Sequence, residues 1–247
     1  MKIHSEHGLS LSGDFVARPI GAKDWHKLGN VKTLTLQTET EKVERISSGR
    51  NDAGSALDAI VIKKPTRIGA SFDTFDVEQY RMLLLADPLI RQYATESAEE
   101  TITVGNAGTY QLQKKNVDPS SFSIKQGAKE IARETYSVQE DGFINFKVAP
   151  EGTEPLTVTY KTLGADGVEY YAGTKEKIDC EIKMNGKNAV TGDFVYLHIP
   201  HATLAPSGAF NYQNPGEFAT AEFEGVCVKE DYAESDYTVE IVKPKKA

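Results

Sequence analysis

An all-β fold with one short α-helix, built as an antiparallel sandwich or barrel, is what this sequence predicts. Three observations carry the expectation. Short runs of alternating apolar and polar residues recur from residue 13 to 242, a single segment shows helical spacing, and strands never alternate with helices in the βαβ manner of a parallel sheet. The chain has 247 residues, 26% of them charged and 39% hydrophobic, which is enough to bury a substantial core. No linker-rich stretch or fixed-period repeat interrupts it. Residues 13–242 therefore read as one domain, with a polar N-terminal arm at 1–12 and a basic tail at 243–247.

Gly13 to Arg18 reads as the first strand, with Phe15 and Ala17 on one face and Val16 on the other. Pro19 to Lys27 is a turn region holding Trp25, the only tryptophan, expected as a core or interface anchor. The stretch from Leu28 to Phe75 then organises the chain. A β-like run from Val31 to Ile46 leads into a turn-rich segment, Ser47 to Ser55, and a second run extends from Ile60 to Phe75. In the first run Thr33, Thr35, Gln37, Glu39 and Glu41 make one polar strand face, while Leu34 and Leu36 want a core. So long and polar a run does not fit inside one small domain. It reads as a hairpin that extends beyond its own domain and pairs with other copies of the chain.

Asp76 is placed to cap a helix, with Gln79 three residues on as in a capping box. Val77, Tyr80, Leu83 and Leu84 recur at helical spacing and Asp87-Pro88 stops the run, predicting a helix over 76–86 that packs this stripe on a sheet. Strand signals follow at Thr101 to Val104, Tyr110 to Lys114, Phe122 to Lys125 and Leu156 to Tyr160. Asp141-Gly142 marks a hairpin between Val138 and Phe143. Ile178, Cys180, Ile182 and Met184 alternate with Asp179, Glu181 and Lys183. Phe194 to Ile199 is a strand ended by Pro200, residues 201–217 form a loop, and Phe218 to Val228 and Tyr237 to Val242 close the fold.

The formal net charge of −8 argues against a protein that grips nucleic acid through phosphates, which needs a basic footprint. It is compatible with one that lets nucleic acid slide past, since an acidic wall repels phosphates over about 10 Å at 0.1 M salt. Cys180 and Cys227 fall inside strands and read as buried free thiols. No secretion signal or bilayer-length apolar run is present, and the expectation is a soluble protein made in a reducing cytosol. Catalytic and cofactor motifs are missing: there is no phosphate loop, no nucleophile elbow and no His-Glu-x-x-His. His198 and His201 are the only close histidine pair, and their spacing across a proline sets them on different strand faces, without metal-ligand neighbours. No enzyme activity, cofactor or metal is expected.

Gly13-Asp14-Phe15-Val16-Ala17-Arg18, then Leu28-Gly29-Asn30-Val31 and the run from Leu34 to Ser48, resemble the opening of major tail tube proteins of long-tailed, non-contractile bacteriophages. In that family a first strand leads to a glycine-asparagine-valine turn, a glutamate-rich β-run and a serine-glycine loop, here Ser47-Ser48-Gly49-Arg50. The strand from Ile68 to Phe75, the helix after it, the Tyr136 to Phe146 hairpin and the final strand from Glu217 to Gly225 fit the same order. The sequence departs from the family pattern at Asp24-Trp25-His26-Lys27 and in its polar first dozen residues.

The resemblance implies a β-sandwich with a flanking helix that assembles as hexameric rings. Each subunit lends strands to a β-barrel around a lumen, and the rings stack into a virion tail tube through which the double-stranded genome passes without specific binding. It also implies a tape measure protein and a tail terminator as partners, assembly in the host cytoplasm, and no membrane. Under it, the lumen-facing candidates are Thr33, Thr35, Gln37, Glu39, Glu41, Arg67, Ser71, Asp73, Asp179, Glu181, Glu222 and Glu224, an acidic set. The 47–62 loop would contact the next ring, with Ser48, Gly49, Arg50, Asn51 and Asp52 as stacking candidates. Two other classes fit the residues: the inner tube of a contractile injection machine, which tends to be shorter and to lack a segment like 98–170, and an Ig-like binding or adhesion module.

Overall fold

The computed structural model describes residues 8–244 apart from Thr153 and Asn214. The chain is mostly antiparallel β-sheet with one short α-helix. In order, its strands and helix are β1 (Leu11–Pro19), β2 (His26–Lys27), β3 (Val31–Gln37), β4 (Thr40–Ile46), β5 (Ala56–Lys63), β6 (Arg67–Phe72), α1 (Val77–Leu84) and β7 (Pro88–Tyr93). Then come β8 (Ser97–Ile102), β9 (Gly108–Gln111), β10 (Ser123–Gln126), β11 (Lys129–Glu130), β12 (Tyr136–Val138), β13 (Phe143–Phe146), β14 (Leu156–Lys161) and β15 (Ala165–Tyr170). The last four are β16 (Ile178–Asn188), β17 (Phe194–Pro206), β18 (Ala221–Cys227) and β19 (Thr238–Val242).

The sequence has no linker-like stretch at residue 88 or 170, yet the described residues gather around two separate cores. One compact unit takes the chain up to Pro88 and from Tyr170 onward, and the other takes Leu89 to Glu169. The first unit is a single sheet ordered β2-β1-β16-β17-β18-β6-β3, with β19 also paired to β17. Strict alternation places Ile178, Cys180, Ile182 and Met184 of β16 inside and Asp179, Glu181 and Lys183 outside, as the period-2 pattern predicts. Phe72, Phe223, Ile199 and Leu204 complete the centre of this core, the two phenylalanine rings 5.3 Å apart.

β17 does not stop at Pro200. Cys180 pairs with Ala202 but Ile182 pairs with Ile199, so Pro200 and His201 together oppose Glu181 in a β-bulge. A bulge is a place where a missing N–H costs the ladder nothing, and the strand therefore runs on to Pro206, six residues into the expected loop. The N-terminal arm is also shorter than expected. Leu11 and Ser12 already pair with Asn188 and Lys187 in β1, while residues 1–7 lie outside the described residues, as does the end of the tail, 245–247. Trp25 is not a core residue: it is half-buried, with the Arg18 guanidinium 4.5 Å and the Lys183 ammonium 4.7 Å from its ring centre.

The helix starts as its sequence dictates. The Asp76 carboxylate accepts from the backbone N–H of Glu78 and Gln79, and the Gln79 side chain accepts in return from the Asp76 N–H. Its end differs. Leu85 adopts a left-handed conformation (φ 49°), and the Ala86 N–H turns back to the Arg81 carbonyl, so α1 closes at Leu84 rather than 86. The buried side is centred on Gln79 and Met82, with Leu83 against the core. Tyr80 and Leu84 are half-buried and Val77 is exposed.

In the second unit, β11-β10-β14-β8 form one sheet, β12-β13-β9 another, and β7 pairs with β15 where the chain enters and leaves. Leu156, Val158, Ile124, Ile144 and Phe146 form its core. The Asp141-Gly142 turn joins β12 to β13 as predicted: Gly142 takes a positive φ of 87°, and the Phe143 N–H donates to the Asp141 side chain.

Replacing Asp76 with alanine removes the acceptor of the cap and should lower unfolding stability by about 1 kcal/mol. The measurement is the urea midpoint, at an unchanged denaturant slope.

Candidate functional site

The surface that sets this molecule apart is a two-stranded ribbon continuous with the sheet. β3 pairs with β6, and the same ladder continues through the Lys64 N–H donating to the Glu39 carbonyl into the β4–β5 pair. Pro65 and the Thr38–Glu39 break separate the two halves, because proline offers no N–H to the ladder. The basal half lies against β18. Among the described residues the distal half pairs with no other strand, and all seven residues of β4 and all eight of β5 are exposed. The long run thus forms a hairpin projecting past its sheet, as the sequence reading expects.

The ribbon carries exposed apolar side chains among charged ones on both faces. Val43 pairs with Ile60 and Glu41 with Ile62, which puts Val43, Ile60 and Ile62 on one face at 44%, 57% and 48% exposure. On the other face Val61 is 66% exposed and Ile46 61%. The expected 47–62 loop is therefore only the tip, because β5 begins at Ala56 and gives its residues partners across the ladder. That tip is built by its own backbone: Ser47 and Ser55, Gly54 and Ser47, and Asp52 and Gly49 are hydrogen-bonded. Ser48, Gly49, Arg50, Asn51 and Asp52 are all exposed there. At the base, the buried carboxylate of Asp236 accepts from Lys63 (2.6 Å) and from the Thr66 hydroxyl (2.8 Å), tying the root of the ribbon to the chain that leads into β19.

The polar strand faces come together on the outer side of the sheet. Register places Thr33, Ser71 and Glu222 in one cross-strand row, and Thr35, Gly69 and Glu224 in the next. A third row runs Gln37, Arg67, Val226, Thr203 and Asp179. Glu181 follows on the same face, and Asp73, just past β6, accepts from Asn30 (2.8 Å). Two expected members sit elsewhere. Glu39 lies in the break and accepts from Gln37 (3.0 Å), and Glu41 belongs to the ribbon, 3.2 Å from Lys64.

The face is not uniformly acidic. Glu181 is held by Arg18 (2.6 Å) and His198 (2.8 Å), and Asp179 by Thr203 (2.5 Å), His201 (3.1 Å) and Lys177 (3.1 Å). His201 also contacts Glu230 through its other ring nitrogen. Both histidines therefore do share a strand face, because the bulge at Pro200 shifts the alternation by one residue; spacing counted along a regular strand misses this. Exposed acids on the outer face include Glu222 and Glu224, with Asp14 and Glu240 in the row through Asn185 and Tyr196, and Arg67 is an exposed cation among them. The two thiols are buried as expected, and burial pushes Cys180 up to about 12 and Cys227 up to about 11. The sequence reading passed over Val43, Ile60, Val61 and Ile62. Their signal was an apolar run with no polar face, which a strand covered on one side does not need.

Residues 9–238 match the model of a family described as "Protein of unknown function UCP028589". The chain belongs to this family. No curated protein matches it.

Three carboxyls of the first unit are held below the ordinary carboxylate range. Burial raises Asp179 and Glu181, but hydrogen bonds from Thr203, His201 and Lys177, and from Arg18 and His198, outweigh it; for Asp236 the Lys63 bond leads. Each binds its proton more weakly folded than unfolded. The stability they contribute is complete above about pH 5 and is lost as pH falls through their lowered folded values. Urea midpoints measured downward from pH 5 should fall in that window, and less steeply in Glu181→Gln and Asp236→Asn.

Proposed function

We propose that this chain is a structural subunit that polymerises into a hollow tube, in the manner of the tail tube proteins its sequence resembles. In this reading it forms hexameric rings stacked along a phage tail, completed by a tape measure protein and a tail terminator. It is made in the host cytoplasm and carries the genome without gripping it. The single observation behind the proposal is the β4–β5 ribbon, with every residue exposed and six large apolar side chains, Val43, Ile46, Leu57, Ile60, Val61 and Ile62, in water.

A two-stranded hairpin standing alone is marginal in water. Each of these side chains gains roughly 1.5–3 kcal/mol on full burial, and both open edges of the ribbon carry backbone groups that want partners. Closure of several copies into a ring removes those edges altogether. The Thr33, Thr35, Gln37, Ser71, Glu222 and Glu224 rows at the foot of the ribbon suit a wall facing phosphates: they are polar, with two exposed glutamates and one exposed cation, Arg67. In this reading the exposed tip, with Arg50, Asn51 and Asp52, meets the next ring.

Concentrated purified protein should give hollow filaments of uniform width in negative-stain microscopy. Monodisperse single particles at every concentration would instead favour a binding module. Ile60→Asp should abolish the filaments while leaving the melting temperature of the subunit close to wild type, because the side chain is exposed in the single copy. Alanine at Arg50, Asn51 and Asp52 together should shorten filaments without dissolving rings, read as a length distribution.

A further inference from the structure

The sheet of the first unit does not close on itself. β18 bridges β17 to β6 only beside residues 202–206, while β19 lies beside residues 194–198 with no further neighbour. Between β19 and the far edge strand β3 a groove of about 570 Å³ opens onto the apolar side of the sheet. Its floor is Met184, Val195 and Leu197, and its walls are Leu34 and Leu36 on one side and Val239 on the other. Met184, Leu197 and Val239 form one cross-strand row, so the inward-facing pattern of the core runs out into solvent at Val239, 53% exposed, and Ile241, 60% exposed.

We infer that this groove receives the β4–β5 ribbon of a second copy, and that the tube grows by this one heterologous contact. The inference rests on the tube reading and names the surface that takes the ribbon. Groove and ribbon are both open among the described residues of one copy, and each copy carries one of each. Donor and acceptor patches differ, which makes the contact head-to-tail: it closes into a ring if the rotation allows, and otherwise extends as a filament. The fit is apolar: Val43, Ile60 and Ile62 lie together on one ribbon face, whose Glu41 and Asp58 are already opposed by Lys64 and Arg45, and Met184, Leu197 and Val239 form the matching row in the groove. The ribbon also has two free strand edges to offer, and the groove is bounded by two more, those of β3 and β19.

Two single-cysteine variants test this, Ile60→Cys on the ribbon and Val239→Cys at the groove, both at exposed positions. The native thiols are buried and stay protonated at neutral pH, so they leave the background quiet. The two variants are mixed in equal amounts and mildly oxidised under conditions where wild-type protein forms filaments. The expected result is a reducible dimer containing one chain of each kind, absent when Val239→Cys is oxidised alone. Val239→Asp should in addition raise the protein concentration needed for filaments about tenfold or more, at an unchanged subunit melting temperature. Filaments whose bonds join Ile60→Cys to Ile60→Cys alone would overturn the groove and leave the tube reading standing. A groove cysteine that bonds only a cysteine placed at Ile3 of its own chain would overturn it likewise, giving the groove to the N-terminus. Protein that stays monomeric throughout would overturn both.

Discussion

A pair of β-strands with no third strand and no covering layer is not a stable object in water, and the rest of this structure is arranged around that constraint. The chain spends fifteen residues on β4 and β5 and gives them nothing to lean on within the subunit. What holds the ribbon upright is its base. The ladder is continuous from β3 and β6, the β6 side is backed by β18, and Asp236 fastens Lys63 and Thr66 where the two halves meet. The ribbon is therefore ordered within the single chain, anchored at its root.

The polar face beneath the ribbon follows from the same geometry. Strands that bury Ile68, Ala70 and Phe72, or Ala221 and Phe223, on one side must show their alternate residues on the other. Serine, threonine, glutamine and glutamate there keep the sheet hydrated on that face. The Arg18–Glu181–His198 group does the opposite at the far side of the sheet, where charges neutralise one another around the bulge and beside Trp25.

Much of the fold is legible in the sequence wherever one side of a strand is wet and the other dry. β16, with isoleucine, cysteine and methionine alternating against aspartate, glutamate and lysine, can be read directly, and so can the Asp76 cap and the Asp141-Gly142 turn. The misreadings share a cause. Alternation reports burial within one chain, and it fails for Leu57 to Ile62, which no other described strand covers. It fails again at Pro200, where one inserted residue resets the count, and it carries no record of ladder partners, so two cores of similar composition read as one. The helix stripe was read one step off for another reason: Gln79 is polar by type but buried, its amide satisfied by the Lys27 carbonyl and the Asp76 N–H.

The segment from Leu89 to Glu169 enters and exits through two strands, β7 and β15, that are hydrogen-bonded neighbours. An insertion whose first and last residues already stand side by side imposes no detour on the polypeptide hosting it. Such a module is free to be swapped, enlarged or dropped over evolutionary time while the strands on either side of the splice keep their register.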